Sequence, residues 1–544
     1  MTTKWWQSAI GYQIYPRSFQ DSNADGIGDI PGITSRLPFL KWLGVDFIWL
    51  NPIYQSPNID NGYDISDFQR IAPEYGTLQD LRTLIKSAHQ YHIRIIMDLV
   101  VNHTSDQHDW FKQARTSRDN PYHDFYIWQK NVNNKTPNDW TNFTDDSVWT
   151  YNELTNEWYF HLFATEQPDL NWENKKVRVA IIKMINWWAD QNIDGFRLDA
   201  LSHLKKASFD TPQSKNDHKF DIFVNNRGIE KFLSLLHQTF QSRHLMTVGE
   251  AGGVHTDTAK KWTGPDGFID MIFELEHQVR QTQIPPRADL GQLLRILTYW
   301  ETFLNDQGWL GLYLENHDQP RSMTVYADNN VDAAKALATL LLTLRGTPFI
   351  YQGQELGMTN IIFTSSEQID DLSTLKNYEQ LIAHGRSPDA ALTETTSWSR
   401  DNARTPIQWS NFGFSDNAVD MTKSWLITNP NTTVLNYHNA ILDPESLLHC
   451  YRELIAIRQA DTVLQTGTFK VLSTRQDNML VFTRYTSTEQ RLIIVSLSQY
   501  NQNISLPDFM SSQKWKIIFS TQSSIPKISK TITLKPYQAV ILKK

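Results

Sequence analysis

The sequence is poor in cysteine: Cys450 is the single one in 544 residues. One thiol excludes an intrachain disulfide framework. It sits in "LLHCYRELIAIR", a helical pattern, where a buried structural thiol is the expectation. Positive charge is also scarce. The formal net charge is −8, and no basic stripe of the kind that binds nucleic acid is present. Long apolar runs are missing too. The stretch "LATLLLTL" from Leu337 falls well short of the ~18 residues that span a bilayer. The opening "MTTKWWQSAIGYQIYP" has no apolar h-region and no small-residue cleavage site, so no secretory signal is expected. A cytoplasmic enzyme without membrane or nucleic-acid partners fits these absences. Sequons such as Asn142-Phe143-Thr144 then carry no meaning.

What the chain does have is aromatic residues, 12% with 19 Trp. These fill cores or make flat stacking surfaces for sugar rings. At about 100–200 residues per domain the length suggests two to four domains, though barrels run longer.

Short apolar runs ending in polar residues recur. "SAIGYQIYP" ends near Tyr15, "VDFIWLNP" at Asn51, "IRIIMDLVVNH" at His103 and "IDGFRLDA" at Asp199. "LMTVGEA" ends at Glu250, "GFIDMIF" covers Gly267 to Phe273, "WLGLYLENHD" ends at Asp318 and "TPFIYQGQE" at Glu355. Helical patterns such as "LQDLRTLIKSAHQYH", "VRVAIIKMINWWADQ" and "DAAKALATLLLTL" lie between them. Strands alternating with helices imply parallel strands with crossovers. Eight such units predict an α/β chain with a (β/α)8 TIM barrel, whose active site forms at the C-terminal strand ends. The cluster "ENHDQPR", Glu315 to Arg321, then belongs on the catalytic rim.

Two stretches break the rhythm. One follows the third strand and is too long for an ordinary βα loop; the other runs from Ile361 to about Trp409. After about Gln465 the pattern becomes alternating antiparallel strands. The expected organisation is barrel 1–103, inserted subdomain 104–172, barrel 173–465 and C-terminal β domain 466–544.

Three strands end in acids that converge if the barrel is real: Asp199, Glu250 and Asp318. Two carboxylates flanking a bond are the equipment of glycoside hydrolysis, one ionised to attack and one protonated to donate. Arg197 faces the same side of its strand as Asp199, and its charge is expected to keep Asp199 ionised. Near the first strand, "DSNADGIGD" alternates the oxygen donors Asp21, Asn23, Asp25 and Asp29, with Gly26 for a sharp turn. It resembles the start of an EF-hand loop, but the twelfth position holds Gly32. A metal-free Asx-rich turn is the other reading.

The motifs "DLVVNH", "GFRLDAL", "VGEA" and "ENHD", in that order, with "QPDLNW" at Gln167 to Trp172, resemble the signature regions of the α-amylase superfamily of glycoside hydrolases. "DNGYDISDF", "HDWF" and "DNARTPIQW" resemble its bacterial α-glucosidase and oligo-1,6-glucosidase subgroup. The resemblance implies Asp199 as nucleophile, Glu250 as general acid/base and Asp318 as the acid holding the sugar's 2- and 3-hydroxyls. It implies His103 and His317 as hydrogen-bonding partners of the reacting glucose. Tyr63 would stack on its ring, Phe163 and Gln167 would help close the pocket, and Asp64 with Arg404 would grip the non-reducing end. It also implies a structural Ca²⁺ in the Asp21–Asp29 loop, with the carbonyl of Ile27 as a further ligand, and no organic cofactor.

Within the subgroup, Ala200 follows the nucleophile, where relatives that prefer α-1,6 bonds usually have Val and those that prefer α-1,4 bonds Ala or Thr. Gly252, two residues past Glu250, leaves the leaving-group site open. The expected activity is a retaining, exo-acting α-glucosidase on maltose and short α-1,4-linked oligosaccharides, with transglucosylation. Oligo-1,6-glucosidase is the alternative. Trehalose-6-phosphate hydrolase, for which Lys205 and Lys206 could bind phosphate although a solvated helix face is the expectation for them, and sucrose isomerase stand further off, and a non-enzymatic transporter-associated relative furthest. The oligomeric state, monomer or homodimer, is left open.

Overall fold

Eight parallel strands close into a barrel in a computed structural model of the chain. They are β1 (Gly11–Ile14), β2 (Phe47–Leu50), β3 (Arg94–Val100), β4 (Gly195–Asp199), β5 (Met246–Glu250), β6 (Met271–Phe273), β7 (Leu310–Leu312) and β8 (Thr347–Tyr351). Each pairs with its neighbours in sequence, and β1 closes on β8. The structure describes residues 4–215, 219–278, 287–305, 307–415, 424–473, 478–506, 514–524, 526 and 530–544.

All eight apolar runs become barrel strands, but the third stops at Val100, before His103, the eighth stops at Tyr351, before Glu355, and the sixth and seventh are shortened too. The sixth starts at Met271, because Gly267 and Ile269 bond back to the carbonyls of Gly264 and Trp262 and make a turn. The seventh stops at Leu312, six residues before Asp318, because Glu315 curls the chain onto Arg321 and the amide of Ser322. The three helical patterns form helices at Leu78–Gln90, Lys175–Ala189 and Val331–Thr343. In the first, Leu81, Leu84, Ile85 and Ala88 make the buried stripe expected of a 3.6-residue period.

The chain divides into two compact units. One comprises residues 1–48, 91–93 and 275–544, the other 49–90 and 94–274. In the first unit, β9 (Thr468–Ser473), β10 (Met479–Tyr485), β11 (Gln490–Ser496), β12 (Lys516–Ser520) and β13 (Ala539–Lys543) form a sheet of order β9-β10-β11-β13-β12. Val481, Leu492, Ile494, Val540 and Leu542 pack one core with Ile504, Ile532 and Leu534. Thr474–Asp477, within the run read as β9 to β10, lie outside the described residues. Arg458 and Arg484 donate to the carbonyls of Leu342 and Thr343, satisfying the end of the helix Val331–Thr343. Cys450 is buried, and burial pushes its thiol up to about 12, which fits a structural role.

In the second unit, the segment between β3 and β4 carries a three-stranded antiparallel sheet of Trp128–Lys130, Trp149–Asn152 and Glu157–Phe160. Its core joins Trp140, Trp149, Phe160 and Leu162 to Phe223. Trp49, Trp140, Trp172, Trp188 and Trp300 are fully buried, so much of the tryptophan excess is core.

Candidate active site

In the second unit, β3 places Asp98 between the apolar residues Met97 and Leu99, opposite Arg197 of β4. Buried charge must be paired, and here one guanidinium serves three acids. Arg197 donates through Nη1 to Asp98 Oδ1 at 2.8 Å and to Asp199 Oδ1 at 2.6 Å, and through Nη2 to Glu250 Oε2 at 2.7 Å. Trp49 lies 5.2 Å under the guanidinium. The second oxygen of Asp98 accepts from Trp49 Nε1 and the Tyr63 hydroxyl.

Arg197 pulls the Asp199 carboxyl down, as its position in the sequence suggests, but does not prevail. Burial pushes Asp199 well above the carboxylate range, and the charges of Glu250 and Asp98 push the same way. Three carboxylates around one cation readily retain a proton. Asp98 completes this cluster. The sequence signal for it was an aspartate inside "IRIIMDLVV".

Tyr63 and Asp64 follow Asn61 and Gly62, both left-handed at φ 50° and 96°, the backbone that Asn-Gly adopts at low cost. The Tyr63 hydroxyl also accepts from Asn51. Asp64 is fully buried, its carboxylate accepting from Ser56 Oγ and from the amides of Ile59 and Asp60; burial raises it to about 6. That burial rules out a surface salt bridge as its role. The His103 ring is buried, and burial lowers its pKa. Its Nε2 lies 3.2 Å from the Tyr63 carbonyl and 3.2 Å from Gln167 Nε2. Phe163 packs on His103 and stacks on Phe143, which stacks on Phe220 at 4.5 Å. Phe143 and Phe220 extend this aromatic wall beyond what the motifs indicated.

Lys205 and Lys206 do not lie on a solvated helix face. They line a cavity of about 680 Å³ with Ser208, Asp221 and Arg227. Lys206 is committed to Asp169, Asn102 and the carbonyl of His203, and Lys205 to Glu173.

In the first unit, Asp318 Oδ1 accepts from Arg404 Nη2 at 2.8 Å, and Oδ2 lies 3.3 Å from His317 Nε2. Gln13 of β1 bonds to His317 Nδ1 at 2.9 Å, and the ring stacks on Tyr15. Arg404 is fully buried and also donates to the His317 carbonyl. Arg400 spans Asp371 and Asp318. The polar cluster "ENHDQPR" thus divides by role. Glu315 and Arg321 form a buried ion pair at 3.0 Å that ties the loop to the carbonyls of Gln352, Asn402 and Ala403. Asn316 accepts from the Asp318 amide, and His317 and Asp318 are left to present their side chains.

In the loop Asp21–Asp29, Asp21 accepts from the amides of Asn23, Ala24 and Gly26, and Asp25 from that of Ile27. Asp29 caps the helix Ile30–Ser35 and accepts from Ser22. The donor types suit a hard cation. Their placement does not form a cage, since among the described residues no three acidic, histidine or cysteine side chains converge on a metal position.

Residues 13–467 match the family model described as "Alpha amylase, catalytic domain". The chain is 42% identical to a probable oligo-1,6-glucosidase 3 of Bacillus subtilis, over 99% of each chain. It is 42% identical to an alpha-glucosidase of Pediococcus pentosaceus over 87% of each. Among solved structures, a trehalose-6-phosphate hydrolase of Bacillus licheniformis superposes with a TM-score of 0.93 at 35% identity, over 99% of this chain and 100% of that one. With a family model spanning most of its length, the chain belongs to the α-amylase family of glycoside hydrolases and is an enzyme.

Proposed function

We propose that the chain is a retaining, exo-acting α-glucosidase that releases glucose from the non-reducing end of isomaltose and short α-1,6-linked oligosaccharides. The observation that carries the linkage is a relative matched over 99% of both chains, which is named a probable oligo-1,6-glucosidase. This displaces maltose, the first expectation from sequence, to second place. Maltose keeps support from Ala200 and from Gly252, where an added Cβ would meet nothing within 4 Å except Ser202 Oγ at 3.4 Å.

In the proposed reaction Asp199, in its ionised form paired with Arg197, attacks the anomeric carbon while Glu250 protonates the leaving oxygen. The bond to the aglycone breaks and a covalent glucosyl-enzyme forms; water then attacks the anomeric carbon, Glu250 takes its proton, and the bond to Asp199 breaks to release glucose and the free carboxylate. Asp199 and Glu250 share the guanidinium of Arg197. That arrangement suits the ~5–5.5 Å separation of a retaining pair better than the ~6.5–9.5 Å of an inverting one. Asp318, His103 and His317 would hold the glucose hydroxyls, Tyr63 its ring, and Asp64 with Arg404 its far end. Phe163 and Gln167 would close the pocket. A phosphorylated disaccharide is disfavoured, because Lys205 and Lys206 already have acidic partners. The test is kcat/KM on isomaltose, maltose, sucrose and trehalose 6-phosphate. Isomaltose is expected to lead; a maltose value tenfold higher would establish the second reading.

We also propose that Ca²⁺ can bind the Asp21–Asp29 loop, through Asp21, Asn23, Asp25, Asp29 and the carbonyl of Ile27. The support is chemical: Asp21 Oδ2, both oxygens of Asp25 and Asp29 Oδ1 each accept one hydrogen bond and keep a lone pair. A cation would have to draw the carboxylates together.

A further inference from the structure

Lys206, seven residues beyond the proposed nucleophile, touches no position assigned to substrate, yet its ammonium is nearly buried at 10% exposure. It meets Asp169, the Asn102 Oδ1 at 2.8 Å and the carbonyl of His203 at 2.6 Å. The amide of Asn102 is thereby oriented without ambiguity. An ammonium can only donate and a carboxylate can only accept. So Oδ1 faces Lys206, and Nδ2 faces Asp169 Oδ2 at 3.0 Å. The same Nδ2 lies 3.3 Å from His103 Nδ1.

We infer that Lys206 and Asp169 are positioning residues that, through the Asn102 amide, hold His103 as the neutral tautomer with its proton on Nε2. An amide N–H directed at Nδ1 requires a lone pair there. Nε2–H then points toward the Tyr63 carbonyl at 3.2 Å. It also lies 3.2 Å from Gln167 Nε2, another donor, because the Gln167 oxygen is taken by the Ala164 amide and its nitrogen faces Asp60. A hydroxyl oxygen lodged between them would draw Nε2–H from the Tyr63 carbonyl and take the second N–H of Gln167, the one not turned to Asp60, so the pair is a receptor for such an oxygen. Neither donates there if His103 carries its proton on Nδ1. Protonation of both ring nitrogens would set Nδ1–H against the Asn102 amide, so the same device keeps the ring neutral. The use of this receptor for sugar rests on the function proposed above; the tautomer does not.

Selective ¹⁵N labelling of histidine separates the two, because a protonated ring nitrogen and a bare one differ widely in shift. The His103 signals are assigned by their loss in His103→Gln. In the ligand-free enzyme Nδ1 should report a bare nitrogen and Nε2 a protonated one. Asn102→Asp puts a carboxylate against Nδ1 and should move a proton onto it. Lys206→Met frees the Asn102 amide to turn, so the two forms should mix. KM for isomaltose should rise about tenfold, the worth of one hydrogen bond, with kcat changed less. A wild-type proton on Nδ1, or an Asn102→Asp spectrum unchanged at both nitrogens, would overturn the inference. Asn102→Asp decides the matter even if Lys206→Met fails to fold. A correct tautomer with no effect on isomaltose would instead count against the proposed sugar site.

Discussion

At the scale of single residues, Asp199 and Ala200 are adjacent and strained in different ways, one by burial of a carboxyl and the other in its backbone. Burial holds the Asp199 carboxyl above its ordinary range. A group raised in this way contributes its stability below the unfolded value of about 3.9 and loses it as pH rises through the folded value. Asp199→Asn therefore should melt higher than wild type near pH 7, with the advantage vanishing near pH 3.5, while glucose release falls by several orders of magnitude. Calorimetry at both pH values checks the sign. A variant retaining a tenth of the turnover, or losing stability at neutral pH, would contradict the assignment. Ala200 has φ 47° and ψ 33°, a left-handed backbone. A β-branched side chain there is a steric outlier, and such strain costs about 1–3 kcal/mol. Ala200→Val should thus lower Tm, and Ala200→Gly should not. The strain is common to every substrate, so it cancels in a ratio of kcat/KM values. If Ala200 faces the leaving-group site, Ala200→Val shifts the isomaltose-to-maltose ratio toward isomaltose, within the roughly 10–200-fold that methylene-sized changes permit. An unchanged ratio would show that the residue sets backbone geometry and not linkage.

At the scale of elements, the loop after β7 depends on a buried ion pair. Glu315 and Arg321 are both fully buried side chains. Removing one partner leaves a buried charge unmatched, a loss of about 3–5 kcal/mol. Arg321→Met should therefore lower the denaturation midpoint strongly. It should also reduce activity, because the same loop carries His317 and Asp318. Full activity with unchanged stability would refute this division of roles. The loop Asp21–Asp29 offers a separate test. A ligand that binds only the native state raises Tm by mass action, so Ca²⁺ added to chelator-treated protein should raise Tm without altering kcat. No shift at millimolar Ca²⁺ would assign the loop to its Asx turns alone. The strands were legible because buried parallel strands read as apolar runs. Their ends were less so: nothing local in "GLYLENHD" distinguishes a strand that stops at Leu312 from one that runs on, since the reversal is made by Glu315 reaching Arg321 and Ser322. Asp98 and Gln13 escaped notice for a related reason. Each is a polar residue inside an apolar strand, and what makes it informative is the partner it meets, Arg197 for one and His317 for the other.

At the scale of the whole molecule, family membership supplies the class of chemistry, and the clusters within each unit supply residues able to perform it. Linkage is the point still to be decided: a relative matched over 99% of both chains is named a probable oligo-1,6-glucosidase, while Ala200 and the open space at Gly252 are the grounds for expecting maltose. The most direct measurement is a proton NMR time course of isomaltotriose with wild-type enzyme, read before mutarotation. α-Glucose and isomaltose are expected as the first products, in equal amounts. β-Glucose appearing first would contradict the double displacement at Asp199, and no turnover of isomaltotriose by an enzyme active on maltotriose would contradict the proposed linkage.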